Sequence, residues 1–189
     1  YREGKSEVVF IDPADQGGYI YEALEARGFT VAGILLTHGH FDHIWGLEEL
    51  RERSGAPVYA WEQEKTLLGD ARLNVSSGAG RACSVEADVY VKDGDEITIA
   101  GMTCKLIGTP GHTEGSCCYY FPEGGFLVSG DTLFADSVGR TDLPTGDMGQ
   151  LVRSVKEKLF LLPDETKVYP GHGEATEIGY EKQYNPFCA

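Results

Sequence analysis

Short runs of apolar, β-branched or aromatic residues recur along the chain, most of them closed by glycine, proline or a polar cluster. Glu7 to Ile11, Val31 to Leu36, Val58 to Ala60, Glu96 to Ile99, Thr103 to Ile107, Cys117 to Phe121, Phe126 to Val128 and Lys167 to Tyr169 each predict a strand. Between them the pattern lengthens to helical spacing. Ala14 to Arg27 follows the start signal Asp12-Pro13 and stops before Gly28, and Ile44 to Arg53 runs out of a histidine-rich loop. Met148 to Leu161 sets Leu151, Val155 and Leu159 on one stripe, with Leu162 continuing it up to Pro163. Strands alternating with fewer helices predict an α/β chain in which helices flank the sheets. Asn74 to Gly80 reads as a flexible loop, either a rim element or a connection. Without internal repeats, low-complexity tracts or a shift in composition, residues 1–189 are expected to form one domain.

The loops that close these runs carry the chemistry. All five histidines stand in Gly-rich or Pro-rich loops where strands are predicted to end. His38, His40 and His43 share the segment Thr37-His38-Gly39-His40-Phe41-Asp42-His43. His112 lies in Thr109-Pro110-Gly111-His112-Thr113, and His172 in Tyr169-Pro170-Gly171-His172-Gly173. Asp131, in Ser129-Gly130-Asp131-Thr132, comes after the run Phe126 to Val128 in the same way. A single histidine is more often a hydrogen-bonded structural residue than a ligand. Five of five in such positions argue for a metal site, because a rigid sheet can present ligands from loops at its strand ends. Imidazole with carboxylate suits borderline divalent ions, Zn first, with Fe or Mn as alternatives. Residues two apart in an extended stretch project to one side, so His38 and His40 can grip one ion while Asp42 and His43 turn toward another. Thr37, Thr109, Thr113 and Thr132 either support ligand imidazoles or serve as turn and cap residues.

The H-x-H-x-D-H segment from His38 to His43, succeeded in order by His112, Asp131 and His172, resembles the metallo-β-lactamase fold superfamily over nearly the whole chain. Thr109 to Ser116 (TPGHTEGS), Ser129 to Asp147 (SGDTLFADSVGRTDLPTGD) and Gly171 to Phe187 (GHGEATEIGYEKQYNPF) resemble, more narrowly, the short single-domain glyoxalase II-like hydrolases. The resemblance implies an αββα sandwich, two mixed sheets flanked by helices, with the site along one edge. It implies that His38, His40 and His112 bind one ion and Asp42, His43 and His172 a second, with Asp131 and a hydroxide bridging both. It further implies hydrolysis of a small thioester such as S-lactoylglutathione, with Asp42 and Asp131 as the catalytic carboxylates and no serine or cysteine nucleophile. Two cations lower the pKa of their shared water toward ~7. Arg140 matches the basic residue that contacts the glutathione part of the substrate in glyoxalase II. Asp142 stands where glyoxalase II has a substrate-contacting tyrosine, and the chain ends soon after His172 without a helical glutathione-binding domain. Tyr180, Tyr184 and Phe187 either rim an open cleft or pack on the core.

Other readings share the motif. A mononuclear Fe persulfide dioxygenase would use the equivalents of His38, His112 and Asp131, and also carries a stretch like Gly139 to Asp142. Hydrolysis of other small esters or lactones, and a non-catalytic metal-binding module, are further alternatives. Gly171-His172-Gly173 and Asn185-Pro186-Phe187 favour the hydrolase.

Charge and cysteine content narrow the partners. A formal charge of −14 argues against nucleic acid, whose phosphates call for a basic track. A pair of divalent ions would still draw a small anionic thioester or ester to the site itself. No apolar run approaches the ~20 residues that span a bilayer, so no membrane association is expected. Five cysteines, Cys83, Cys104, Cys117, Cys118 and Cys188, lack paired spacing and suggest a reducing, cytoplasmic setting. Cys104, Cys117 and Cys118 lie in strand-like runs as small packing residues. The chain opens at Tyr1 and enters a strand almost at once, so a first strand of the family is expected to precede it.

Overall fold

The computed structural model describes residues 1–189, which fall into two compact units: Tyr1–Val91 with Thr98–Met102, and Lys92–Ile97 with Thr103–Ala189. The first carries a four-stranded sheet of β1 (Glu7–Ile11), β2 (Thr30–Leu35), β3 (Val58–Trp61) and β4 (Val89–Val91), in that order and parallel throughout. Parallel neighbours need crossovers, and these are helical. They contain α1 (Gly17–Glu25), α2 (Phe41–Ile44), α3 (Leu47–Ser54) and α4 (Lys65–Leu68). Leu47 and Leu50 of α3 pack with Ile20 and Leu24 of α1 against Val8, Val31, Ile34 and Val58 of the sheet. The helical stripes and the β-branched strands therefore bury one another.

Two helices differ from their predicted spans, for reasons that bear on the site. Asp12-Pro13 does not start α1, which begins at Gly17 after Gln16 in a left-handed conformation. The predicted helix Ile44 to Arg53 is broken into α2 and α3. Gly46 directs its N–H outside its own helix, to the carbonyls of Pro13 (2.9 Å) and Ala14 (3.2 Å). The two backbones touch here: a Cβ on Gly17 would lie 2.0 Å from the Gly46 carbonyl oxygen. This contact locks the start of α1 to the end of the H-x-H-x-D-H loop.

A second sheet runs in the order β12-β11-β8-β7-β6-β5, and all of it but Thr98–Ile99 and Met102 belongs to the second unit. Its strands are β5 (Glu96–Ile99), β6 (Met102–Gly108), β7 (Cys117–Phe121), β8 (Phe126–Gly130), β11 (Lys167–Pro170) and β12 (Thr176–Glu177), while β9 (Leu133–Phe134) and β10 (Ser137–Val138) form a separate hairpin. β6, β7 and β8 run antiparallel in turn, β11 joins β8 in parallel, and β12 is antiparallel to β11. α5 (Met148–Glu157) is capped by the Asp147 side chain, which accepts the Gln150 N–H at 2.8 Å. It continues into a 3-10 turn at Leu159–Leu161 where the sequence predicted further α-helix. α6 (Ile178–Tyr184) closes the chain. Leu151, Val155 and Leu159 pack with Ile178 on Ile107, Cys118, Leu127 and Val168. β2, β6, β8 and β11 each end one to four residues before a predicted ligand, which places all of these at the C-terminal ends of strands.

Candidate metal centre

In the first unit the site is organised by a residue that sequence reasoning used only as a helix signal. Asp12 leaves β1 with a positive φ of 49°, and its carboxylate turns toward the end of the neighbouring β2. The Thr37 N–H donates to its Oδ1 at 2.8 Å and the Thr37 hydroxyl to its Oδ2 at 2.6 Å. His43 Nδ1 lies 2.9 Å from the same Oδ2. With its proton committed to Asp12, the Thr37 oxygen accepts from His38 Nδ1 at 3.1 Å. Both imidazoles are thus held by Nδ1, which leaves the Nε2 lone pair available to a metal.

His38, His40 and His43 are buried, and the His38 ring sits 4.1 Å from that of His43 and 4.9 Å from that of His40. Ligand atoms of Asp12, His38 and His43 lie within 4.8 Å of one another. Because the Asp12 carboxylate already takes the Thr37 N–H, the Thr37 hydroxyl and His43, it supports the ligands and is not counted among them. Buried Glu64 accepts the Gly39 N–H at 2.7 Å and fixes the backbone between His38 and His40. Asp42 stands half-buried in the first turn of α2, next to His43.

In the second unit one carboxylate oxygen faces two imidazoles. Asp131 Oδ2 lies 3.6 Å from His112 Nε2 and 3.7 Å from His172 Nε2. Ligand atoms about 2.1 Å from one ion at tetrahedral angles lie roughly 3.4 Å apart, so both separations suit a shared ion better than a direct hydrogen bond. His112 Nδ1 donates to the Arg140 carbonyl at 2.7 Å, which again leaves Nε2 to ligate metal. The approach is close: a Cβ on Gly139 would fall 1.8 Å from the Asp131 carbonyl oxygen, so only glycine fits there. The Thr109 and Thr132 hydroxyls meet at 2.8 Å and tie together the loops after β6 and β8. Thr113 bonds Ser116, as a turn residue does. His112 is buried, whereas His172 is exposed.

The donor set therefore fits divalent metal in both units. His38, His40, Asp42 and His43 are gathered in the first, and His112, Asp131 and His172 in the second. Arg140 is exposed and forms a two-pronged ion pair with Asp142, Nε to Oδ1 and Nη2 to Oδ2, both at 2.7 Å. That pair holds the Asp142 carboxyl well below the usual range, at about 2. Tyr180 and Tyr184 meet at the surface with rings tilted by 45° and centroids 5.1 Å apart. Asp12 and Glu64 were missed as site residues. The signal for Asp12 was its place at the C-terminal end of a predicted strand, the same place that singled out Asp131.

Imidazoles and carboxylates held by buried hydrogen bonds at the C-terminal ends of strands define a metal-dependent enzyme of α/β architecture. The chain belongs to the metallo-beta-lactamase superfamily, which residues 1–172 match. It is 40% identical to the "Probable metallo-hydrolase YqgX" of Bacillus subtilis over 96% of this chain and 87% of the relative. It is 29% identical to "Hydroxyacylglutathione hydrolase GloC" of Haemophilus influenzae over 98% and 89%. Among solved structures, BLEG-1 B3 metallo-beta-lactamase superposes with a TM-score of 0.93 at 39% identity, covering 99% of this chain and 90% of that one. TTHA1623 in a di-iron-bound form gives 0.84 at 36%, covering 94% and 87%. The superfamily's sandwich fold, with sheets flanked by helices, is the fold of this chain.

Proposed function

We propose that residues 1–189 form one metallo-β-lactamase-fold domain in which His38, His40, Asp42, His43, His112, Asp131 and His172 hold two divalent ions, and that the enzyme hydrolyses a small thioester of the S-lactoylglutathione type. The observation that carries this reading is Asp131 Oδ2, set nearly equidistant from His112 Nε2 and His172 Nε2 as a bridging ligand would be. His38, His40 and His112 would hold one ion, and Asp42, His43 and His172 the other. Zn suits the donors, and the di-iron form of TTHA1623 supports Fe as an alternative. The ions would supply an activated water and a Lewis acid for the thioester carbonyl.

The chain's own residues supply orientation. Asp42 would accept a hydrogen bond from the attacking water and orient it toward the carbonyl carbon. Asp12 keeps His43 and, through Thr37, His38 from rotating, so no reorganisation is needed as charge develops. A thiolate departs without strong acid assistance, which suits a site whose groups mainly bind and orient. Arg140 would recognise a substrate carboxylate after parting from Asp142. Similarity to GloC supports the thioester.

A second reading, hydrolysis of a β-lactam amide by the same ligands, draws support from the closer likeness to BLEG-1. Purified protein assayed side by side with S-lactoylglutathione and a β-lactam tests the choice. Efficient thioester cleavage with negligible lactam turnover is expected, and the reverse would transfer the assignment. Inactivity on both with a single Fe bound would point to persulfide oxidation. Within the thioester reading, Arg140→Ala should raise KM for anionic substrates several-fold with kcat nearly unchanged. Asp142→Ala should lower KM by freeing the guanidinium, and equal KM in all three proteins would leave Arg140 a structural ion pair.

A further inference from the structure

The ending Glu181-Lys182-Gln183-Tyr184-Asn185-Pro186-Phe187 has no part in catalysis as proposed, yet two of its polar side chains are completely buried. Glu181 on α6 and Asn185, one turn later at its C-terminal cap, bond each other, Asn185 Nδ2 to Glu181 Oε2 at 2.7 Å. Both then reach the β9–β10 hairpin. The Asp136 N–H, at the hairpin's left-handed tip, donates to both Glu181 oxygens at 3.2 Å. Asn185 Nδ2 donates to the Ser137 carbonyl at 3.0 Å. The Thr176 hydroxyl donates to Glu181 Oε1 at 2.6 Å, which brings in β12. At the rim the Tyr180 hydroxyl donates to Asp136 Oδ1 at 2.9 Å.

The hairpin held in this way, with Gly139 and Arg140 that follow it, reaches each ligand of the second unit. It starts two residues after Asp131, and the Phe134 ring stands edge-on to His172 at 6.4 Å. At its base Gly139 lies against the Asp131 carbonyl, and the next residue, Arg140, offers the carbonyl that receives His112 Nδ1. A buried carboxylate is costly unless its oxygens are matched by donors, and here every donor but one comes from the hairpin or from the partner Asn185.

We propose that Glu181 and Asn185 are positioning residues for the metal site, a buried clamp that fixes the hairpin and through it the spacing of Asp131, His112 and His172. The proposal rests on the metal-binding reading of the proposed function. A general fastening role for α6 is a separate matter, served by Lys182, which bonds the Leu162 carbonyl at 3.1 Å and Asp164 at 2.5 Å, away from the hairpin.

The test is metal affinity by chelator competition on folded, metal-stripped protein, for the parent, Glu181→Gln, Asn185→Ala, Thr176→Val and Lys182→Ala. Supporting groups behind ligands typically matter about 10–100-fold in affinity. Glu181→Gln and Asn185→Ala should weaken binding by about tenfold or more, and Thr176→Val, the mildest change, by less. Lys182→Ala should lower thermal stability while leaving affinity at the parental value. Parental affinity in Asn185→Ala and Thr176→Val, with two ions bound in the parent, would overturn the clamp alone. Equal weakening by Lys182→Ala would reduce the clamp to general stability and also overturn it. A parent that takes up no metal would overturn the metal reading and the clamp together.

Discussion

Asp12 shows how one side chain can organise several others. Its carboxylate receives Thr37 through both backbone and hydroxyl and takes His43 directly, while Thr37 passes the constraint on to His38. Asp12→Ala should therefore weaken metal binding by about 10–100-fold in chelator competition, with the chain still folded. Unchanged affinity would make it only a turn residue. The candidate ligands stand out in the sequence because their loops follow apolar runs at strand ends. Asp12, Glu64 and Glu181 do not, because one acid among thirty carries no mark of burial. Their partners are backbone N–H groups and hydroxyls that only the fold brings near. Cys104, Cys117 and Cys118 are buried on strands as predicted, and burial pushes the Cys104 thiol up to about 12 and the Cys118 thiol up to about 11. Thiolate is the reactive form, so burial suppresses the reactivity of these thiols both by raising their pKa and by shielding the sulfur. A thiol-reactive dye at pH 8 should label half-buried Cys83 first and the four buried cysteines only on unfolding. Rapid labelling of several thiols in the native protein would contradict this packing.

At the scale of elements, the apolar runs located eight of the strands to within a residue or two, because half-buried strands write their burial into alternation and β-branching. β4, the β9–β10 hairpin and β12 were not seen. Each has only two or three residues, too few to show a period, and is held by neighbours rather than by its own pattern. Helix boundaries failed where tertiary contacts override propensity. Asp12-Pro13 serves the metal loop instead of starting α1, and the Gly17–Gly46 contact splits α2 from α3. That contact predicts a sensitive site. A methyl group on Gly17 would meet the Gly46 oxygen at 2.0 Å and the Leu50 nitrogen at 2.7 Å, both backbone atoms that cannot rotate away. Gly17→Ala should cost about 1–3 kcal/mol, and each kcal/mol should lower Tm by about 2–4 °C for a chain of this size. A parental Tm would show that the two backbones separate freely.

For the whole molecule, the resemblance seen in H-x-H-x-D-H and the three later ligands extends to nearly the full chain, and the superfamily assignment rests on residues 1–172. The finer substrate assignment is less legible because it depends on exposed residues such as Arg140 and Asp142, whose surroundings vary within one fold. No helix is long and apolar enough to cross a membrane. With a net charge of −14, bound metal would be the main attraction for the anionic substrate proposed. Ions that bind only the folded chain should also stabilise it, by about 2.7 kcal/mol at a free concentration one hundred times Kd. Chelation should accordingly lower Tm, and restoring the ion should reverse the loss. The most direct test of the central claim is to count metal and measure S-lactoylglutathione turnover on the same samples of the parent and of Asp131→Ala. Two ions per chain with efficient turnover in the parent, and loss of both metal and turnover in the variant, is the predicted result. A single ion in a fully active parent, or parental turnover in Asp131→Ala, would contradict a dinuclear hydrolase.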